Sequence, residues 1–265
     1  MKKILIATGG SGGHVIPSLS IYDHLKEHYE VSIVTDKRGI KYINKNNYNY
    51  TLIEVPNLFS KLYLLPFNLI KFFISIVKSY NYLRKNKINF LISMGGYMSF
   101  PLSIASWILK IKLILFEPNS VLGRTNKLMI GISSKIICYD KNLKFFPDKF
   151  SKKIYEIKPI IRKKIYNINK SKKNSFDSVK KILIIGGSQG AKFFDETLTR
   201  AVLKISKKIN IEIFQQINEK SNRSLIEKEY NNYNLKYNLF NFDENLFENS
   251  DNFDLAITRS GASAI

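Results

Sequence analysis

The chain has 265 residues, 45% of them hydrophobic, with 13 glycines and 7 prolines; this allows two domains with packed cores and excludes a fibrous or wholly disordered chain. Its single cysteine, Cys138, excludes a disulfide framework and offers no thiol cluster to a metal, so a buried thiol in a reducing compartment fits best. A net charge of +21, carried mostly by lysine, favours nucleic acid, anionic lipid or phosphorylated ligands, and the Lys, Asn, Ile and Tyr slant of an AT-rich genome accounts for much of it.

The apolar run over residues 4–7 is too short for a secretory signal and does not alternate, so it predicts a fully buried strand. Residues 8–14 read as a loop, and Pro17 predicts the first turn of a helix to about His28, with Leu19, Ile21, Tyr22 and Leu25 inward. Residues 31–35 and 51–55 read as strands. Residues 58–83 mix aromatic and aliphatic side chains with Lys61, Lys71 and Lys78. Two readings fit: an interfacial segment with lysines meeting anionic lipid, or a buried helix with Ile70, Phe73, Ile74 and Val77 inward. The apolar set is wider than one face needs, which favours membrane contact. Residues 88–109 carry no charge, but Gly95, Gly96 and Pro101 divide them into a strand over 90–94, a turn and a helix from Leu102, not a membrane span.

Strands over 112–116 and 135–138 continue the series, and residues 151–157 close it. Strands alternating with helices predict an α/β domain with a parallel, doubly wound sheet and right-handed crossovers. The expected division is a domain over 1–160, a Lys, Asn and Ser-rich linker over 161–178, and a second domain over 179–265. The second begins with a near-repeat of the first: Lys180 to Ser188 parallels Lys2 to Ser11. A strand over 182–185, a helix over 193–205 and strands over 211–215, 235–240 and 255–258 follow. The sequence given stops just past Arg259-Ser260-Gly261-Ala262, so this second domain is expected to be incomplete.

Gly9-Gly10-Ser11-Gly12-Gly13-His14 lies between strand and helix. Glycines there permit positive φ and close backbone approach, and the helix start offers unpaired N–H groups, a combination that holds phosphates. The loop is neither G-x-G-x-x-G nor a Walker A motif, and a tight turn without a ligand fits it too. His14 can take a proton from a hydroxyl, or cap a helix. In Gly186-Gly187-Ser188-Gln189-Gly190-Ala191, Ser188 can meet a phosphate oxygen or act as an N-cap. Gly95-Gly96-Tyr97 and Glu117-Pro118-Asn119 follow two further strands, at the edge where open sheets place ligands. His14, His24 and His28 are not clustered with other ligands, and no Asp-x-Asp pair occurs. Phosphate chemistry is therefore expected to be metal-free, resting on amides, helix ends and arginine.

These motifs, taken in order with Arg259-Ser260-Gly261-Ala262, resemble the MurG family of peptidoglycan glycosyltransferases over essentially the whole chain. The resemblance implies a GT-B architecture, two Rossmann-like domains facing across a cleft, here with the second incomplete. It implies inverting transfer of GlcNAc from UDP-GlcNAc to the MurNAc of the undecaprenyl-linked acceptor lipid I, giving lipid II, with no cofactor and no nucleic acid. It also implies peripheral attachment to an anionic membrane surface at the cytoplasmic face of the bacterial inner membrane. The first domain would take the acceptor and the second the UDP-sugar.

Carried onto this sequence, His14 matches the general base, with Glu117 in the catalytic set. Ser11, Gly12 and Gly13 match the first-loop donor contacts, and Tyr97 and Asn119 substrate contacts. Arg162, Ser188, Gln189 and Gly190 match phosphate contacts, Asp243 a weaker one, and Ala262 and Ser263 the start of the uridine segment. The chain departs from the family pattern at Phe116 and Pro118, where His and Gln are usual, and at Arg162, displaced by one residue. Asp243 stands where an apolar residue is usual, and the acidic residue that grips the ribose would follow Ile265. Two other readings stand beside this one: a diacylglycerol-type lipid glycosyltransferase, opposed by the 186–191 loop, and a non-catalytic membrane-bound acceptor module. A nucleic-acid binder has only the charge in its favour.

Overall fold

The structure, a computed structural model, describes residues 1–56, 63, 65–163, 180–187, 193–218, 221–241, 243, 246 and 253–259. The chain divides into an N-terminal unit, Met1–Arg162, and a C-terminal unit, Lys163–Ile265.

The N-terminal unit is built on seven strands: β1 (Lys3–Ala7), β2 (Glu30–Thr35), β3 (Tyr50–Leu52), β4 (Phe90–Ser93), β5 (Lys112–Glu117), β6 (Lys135–Cys138) and β7 (Ile154–Glu156). All neighbours pair in parallel, in the order β3-β2-β1-β4-β5-β6-β7. The continuous apolar runs are buried on both faces, as parallel sheets require: Leu5, Ile6, Ile33, Leu91, Leu115 and Ile136 are fully enclosed, and so is the Cys138 thiol. Ala7 pairs with Val34 and with Ser93, and Ser93 with Leu115. The carboxyl ends of β1, β4 and β5 therefore reach one edge together.

Helix α1 (Gly12–Leu25) begins earlier than the proline predicts. Ser11 is extended, at φ −114° and ψ 158°, and its carbonyl accepts from the His14 and Val15 amides. Gly12, Gly13 and His14 are thus the first turn of the helix and not part of a loop. Pro17 lies inside α1, where its ring costs one intrahelical hydrogen bond.

Helix α2 (Leu65–Lys85) packs against α3 (Ser99–Ile108) with its polar side inward. Asn68, Ser75, Ser79 and Leu83 are its buried residues. Ser75 donates to the Phe72 carbonyl at 2.6 Å and Ser79 to that of Ser75 at 2.7 Å. On α3, Ser103 and Ser106 return their hydroxyls to the carbonyls of Ser99 and Ser103 at 2.9 and 2.8 Å. Each hydroxyl is satisfied by its own helix, so the small side chains let the two helices approach without an unmet polar atom. Ile70, Phe73, Ile74 and Val77, the inner face of the buried-helix reading, are exposed, Phe73 to 67%. Among the described residues no helix is long and apolar enough to cross a membrane.

The C-terminal unit carries β8 (Lys181–Ile185), β9 (Glu212–Gln216), β10 (Lys236–Phe240) and β11 (Leu255–Thr258), parallel in the order β10-β9-β8-β11. The helix expected over 193–205 opens as a wide π-type turn, Phe194–Leu198, before α5 (Thr199–Ser206), and α6 (Arg223–Asn232) follows β9. The core gathers Ile184, Ile213 and Tyr230. Tyr230 donates to the buried Gln215 side chain, and burial pushes its phenol up to about 12.

A short helix, α4 (Arg124–Met129), follows β5, and one lysine holds its end. Lys153 Nζ donates to the carbonyls of Ile130, Gly131 and Ser133 at 2.8, 3.0 and 2.6 Å. A cation there meets both the negative end of the helix and its orphan carbonyls. Replacing it with Met keeps the stem and removes the donors. Lys153→Met is expected to lower stability by about 1–3 kcal/mol, read as a reduced Tm.

Candidate active site

Open α/β sheets bind ligands where neighbouring strands send their connections to opposite sides. In the N-terminal unit that point lies between β1 and β4, since β1 leads on to β2 at one side while β4 leads on to β5 at the other. The glycine loop after β1 and Gly95-Gly96 after β4 flank it. The corresponding point in the C-terminal unit lies between β8 and β11, flanked by Gly186-Gly187 and Arg259, whose amide donates to the Ile185 carbonyl at 3.4 Å.

The first loop is held from beside it. Asp36, just past β2, accepts from the Gly10 and Gly39 amides through Oδ1, both at 2.9 Å. Its Oδ2 accepts from Arg38 Nε at 3.1 Å and Nη2 at 2.9 Å. Gly10 sits at φ +79°, and a side chain there would bring its Cβ 3.2 Å from Arg38 Nη2. The Ser11 side chain makes no capping bond, and the Gly12 and Gly13 amides meet no acceptor among the described residues. No acidic residue occupies the first turn. An amide-lined, positively polarised concavity results.

His14 forms the inner wall of this loop. Gly96, at φ +72°, turns beside its ring, and a Cβ there would lie in ordinary contact, 3.7 Å from His14 Cδ2. His14 Nδ1 is buried with no hydrogen bond within 3.5 Å. Burial lowers the imidazole pKa below 6.5, while the Glu117 charge and the Met94 backbone pull it back up. Glu117, the last residue of β5, is 2% exposed. Its Oε1 accepts from the Asn119 amide at 3.3 Å and Asn119 Nδ2 at 2.9 Å; its Oε2 accepts from the Gly123 amide at 2.8 Å and Asn126 Nδ2 at 3.0 Å. Asn126 Nδ2 also meets the Phe116 carbonyl at 3.1 Å. A cavity of about 630 Å³ opens here, and its lining joins the polar His14, Glu117, Asn119 and Arg124 with Tyr97, Phe72, Phe100 and Leu128.

The glycosyltransferase family 28 N-terminal domain matches residues 4–138, and the family's C-terminal domain matches residues 181–265. The whole chain aligns, at 46% identity, with 73% of a UDP-N-acetylglucosamine–N-acetylmuramyl-(pentapeptide) pyrophosphoryl-undecaprenol N-acetylglucosamine transferase of Pelagibacter ubique. It aligns at 31% identity with 75% of the Rickettsia felis protein of the same description. The fold matches the crystal structure of Acinetobacter baumannii MurG with a TM-score of 0.67 at 24% identity, over 99% of this chain and 74% of that one. The chain belongs to the MurG family. Its two parallel-sheet units are those of the GT-B class, and the N-terminal match takes in the glycine loop, Gly95-Gly96-Tyr97 and Glu117-Pro118-Asn119.

Of the residues singled out in the sequence, the structure brings His14, Tyr97, Glu117 and Asn119 to one cavity, and His14 shares the first turn of α1 with Gly12 and Gly13, behind the N-cap Ser11. Glu117 spends both oxygens on four donors, so it orients its neighbours and carries no free lone pair toward the cavity. Arg162 does not line this cavity; the preceding Ile161 carbonyl is tied at 3.1 Å to His24, near the far end of α1. Asp243 is exposed past β10. Ser188, Gln189, Gly190, Ala262 and Ser263 lie outside the described residues. Among the described residues no three His, Cys, Asp or Glu side chains converge to hold a metal.

Sequence reasoning passed over Asp36, Arg38 and Asn126, lone polar residues whose place emerges only from the strand register. The Asn126 amide is the sole link from α4 to both Phe116 and Glu117 among these contacts, and it is 1% exposed. Asn126→Leu would leave a buried carbonyl and a carboxylate oxygen short of donors. Each unmet group costs about 1–3 kcal/mol. Denaturant titration is expected to show a lowered midpoint with an unchanged slope.

Proposed function

We propose that the chain transfers GlcNAc from UDP-GlcNAc to the MurNAc 4-hydroxyl of lipid I, with inversion and without a metal. The observation that carries this reading is the His14 ring, kept neutral by burial at the wall of the cavity beside the amide-lined loop. The MurNAc oxygen attacks the anomeric carbon of GlcNAc from the face opposite the diphosphate. As the C–O bond forms, its proton passes to His14, the bond from the anomeric carbon to the phosphate oxygen breaks, and UDP leaves with the electron pair. Glu117 does not take the proton; its charge supports the imidazolium that forms. Asn119, held by Glu117, and Tyr97 contact the acceptor sugar. In the C-terminal unit Ser188, Gln189 and Gly190 hold the UDP phosphates, and Ala262 and Ser263 begin the uridine site. Amides and arginine balance the leaving charge in place of a metal.

Transfer from labelled UDP-GlcNAc to a lipid I analogue tests the assignment. His14→Ala is expected to lower kcat by about 10²–10⁴-fold, with little change in either KM. An unchanged rate removes His14 from this role. Because the base must be neutral and its pKa is lowered, kcat/KM should be flat near pH 7. It should fall only as pH drops through a value below 6.5.

The same reading places the protein on the surface of an anionic membrane, the cytoplasmic face of the inner membrane in a cell. Phe67, Ile70, Phe73, Ile74 and Val77 on α2 and Trp107 and Ile108 on α3 are exposed on two helices packed together, and Lys71 and Lys78 are exposed on α2 as well. Apolar side chains entering the headgroup layer and lysines meeting lipid phosphates explain this face, each lysine adding about 1 kcal/mol. Flotation with phosphatidylglycerol vesicles is expected to retain the wild type and release Phe73→Glu without a change in Tm. Equal retention of both removes this face from the reading.

A further inference from the structure

We propose that Arg38 forms a diphosphate subsite beside the glycine loop and receives the diphosphate of the lipid-linked acceptor; this rests on the acceptor reading of the N-terminal unit. The guanidinium is held on two sides. Its Nε and Nη2 form a fork on Asp36 Oδ2, and its Cζ stacks 4.7 Å from the Tyr97 ring centroid. Two of its five N–H bonds are used on Asp36, and the others meet no acceptor among the described residues.

The Asp36 charge does not cancel this cation for a ligand. The Asp36 side chain is 4% exposed and its oxygens are spent on Gly10, Gly39 and Arg38, whereas the Arg38 side chain is 52% exposed. A ligand approaching the loop therefore meets the arginine and not the carboxylate. The pair fixes the cation in place, which removes most of the rotamer cost of using it. Gly10 lies beside Arg38, where a Cβ on it would be 3.2 Å from Nη2, and the open Gly12 and Gly13 amides follow along the chain. Planar donors beside backbone amides suit the several oxygens of a diphosphate better than one phosphate or a neutral group.

Tyr97 connects this subsite to the proposed chemistry. Arg38 stacks against its ring, and the ring also lines the cavity that holds His14. A sugar attached to a diphosphate at Arg38 would lie across Tyr97 and present its hydroxyl toward the imidazole. This also separates the roles of two arginines, since Arg162 belongs to a segment tied to the other end of α1.

The test measures binding by the complete chain of two short-chain polyprenyl MurNAc-peptide analogues, one diphosphate-linked and one monophosphate-linked, together with UDP-GlcNAc. The wild type should prefer the diphosphate. Arg38→Gln should lose about tenfold or more of its affinity for the diphosphate analogue and most of that preference, with UDP-GlcNAc affinity unchanged. Arg38→Lys, which keeps charge but not the fork, should fall between. If Arg38→Gln fails to fold because Asp36 is left unpaired, the double variant Asp36→Asn with Arg38→Gln removes both charges and should show the same loss. Weakened UDP-GlcNAc binding with intact acceptor binding would assign Arg38 to the donor and overturn the proposal. So would an unchanged preference in the variants. A wild type that binds neither analogue would instead sink the acceptor reading, and this subsite with it.

Discussion

The buried carboxylate of Glu117 is the constraint on which the N-terminal site depends. A carboxylate taken out of water costs several kcal/mol unless its lone pairs are met. Here two backbone amides and two side-chain amides meet them. Those bonds fix the path from β5 into α4, turn Asn119 toward the cavity and seat Asn126 under Gly95, where a side chain would come within 3.3 Å of its amide nitrogen. Gly95 and Gly96 share the left-handed turn beside His14. Asp36 does the same work past β2, where it ties Gly10 and Gly39 together. The two carboxylates bracket β1 and β4, so both walls of the switch point are set by buried charge and not by solvent.

Helix α2 packs Phe72, Tyr80, Tyr82 and Leu83 on the core, yet it also buries Asn68, Ser75 and Ser79 while much of its large apolar surface stays outside. Its serines can face α3 because each hydroxyl returns to its own backbone, and short side chains allow close packing. The large apolar residues are then left on the outside, an arrangement that water disfavours at about 25 cal/mol for every Å² left uncovered. Periodicity could not decide which face was which: with apolar residues on more than one side, the 3.6-residue pattern marks a helix without marking its direction.

Much of the sheet was legible because strands buried on both faces are uninterrupted apolar runs, and runs of four to six such residues between turn residues suit little else. Residues 135–138 and 255–258 are strands with the expected limits. The start of α1 was not legible. Proline marks first turns by preference only, and the extended Ser11, whose carbonyl gathers the first amides, set the boundary instead. The same logic divides the site. Glycine-rich turns announce themselves in sequence, whereas Asp36, Arg38 and Asn126 are ordinary polar residues until the register sets β2, β1, β4 and β5 side by side. Glu117 was visible as a candidate, but its role was not, because four donors to one carboxylate are a property of the folded loop alone.

For the base role proposed for His14, the environment of the ring is unusual. Where a carboxylate bonds directly to imidazole it fixes the tautomer and raises basicity together. Here Nδ1 is buried without a close hydrogen bond, and the nearby Glu117 carboxylate is committed to the β5–α4 connection. Burial keeps the resting ring neutral, while the Glu117 charge acts on it through space. That separates two demands that otherwise conflict. The ring must be unprotonated before the acceptor hydroxyl arrives, which desolvation secures, and it must tolerate a positive charge as the proton moves, which a fixed negative charge secures best in a site that excludes water. Gly96 carries the backbone past this ring at φ +72°, a left-handed turn that glycine adopts without strain, and leaves the imidazole in ordinary contact distance of the turn.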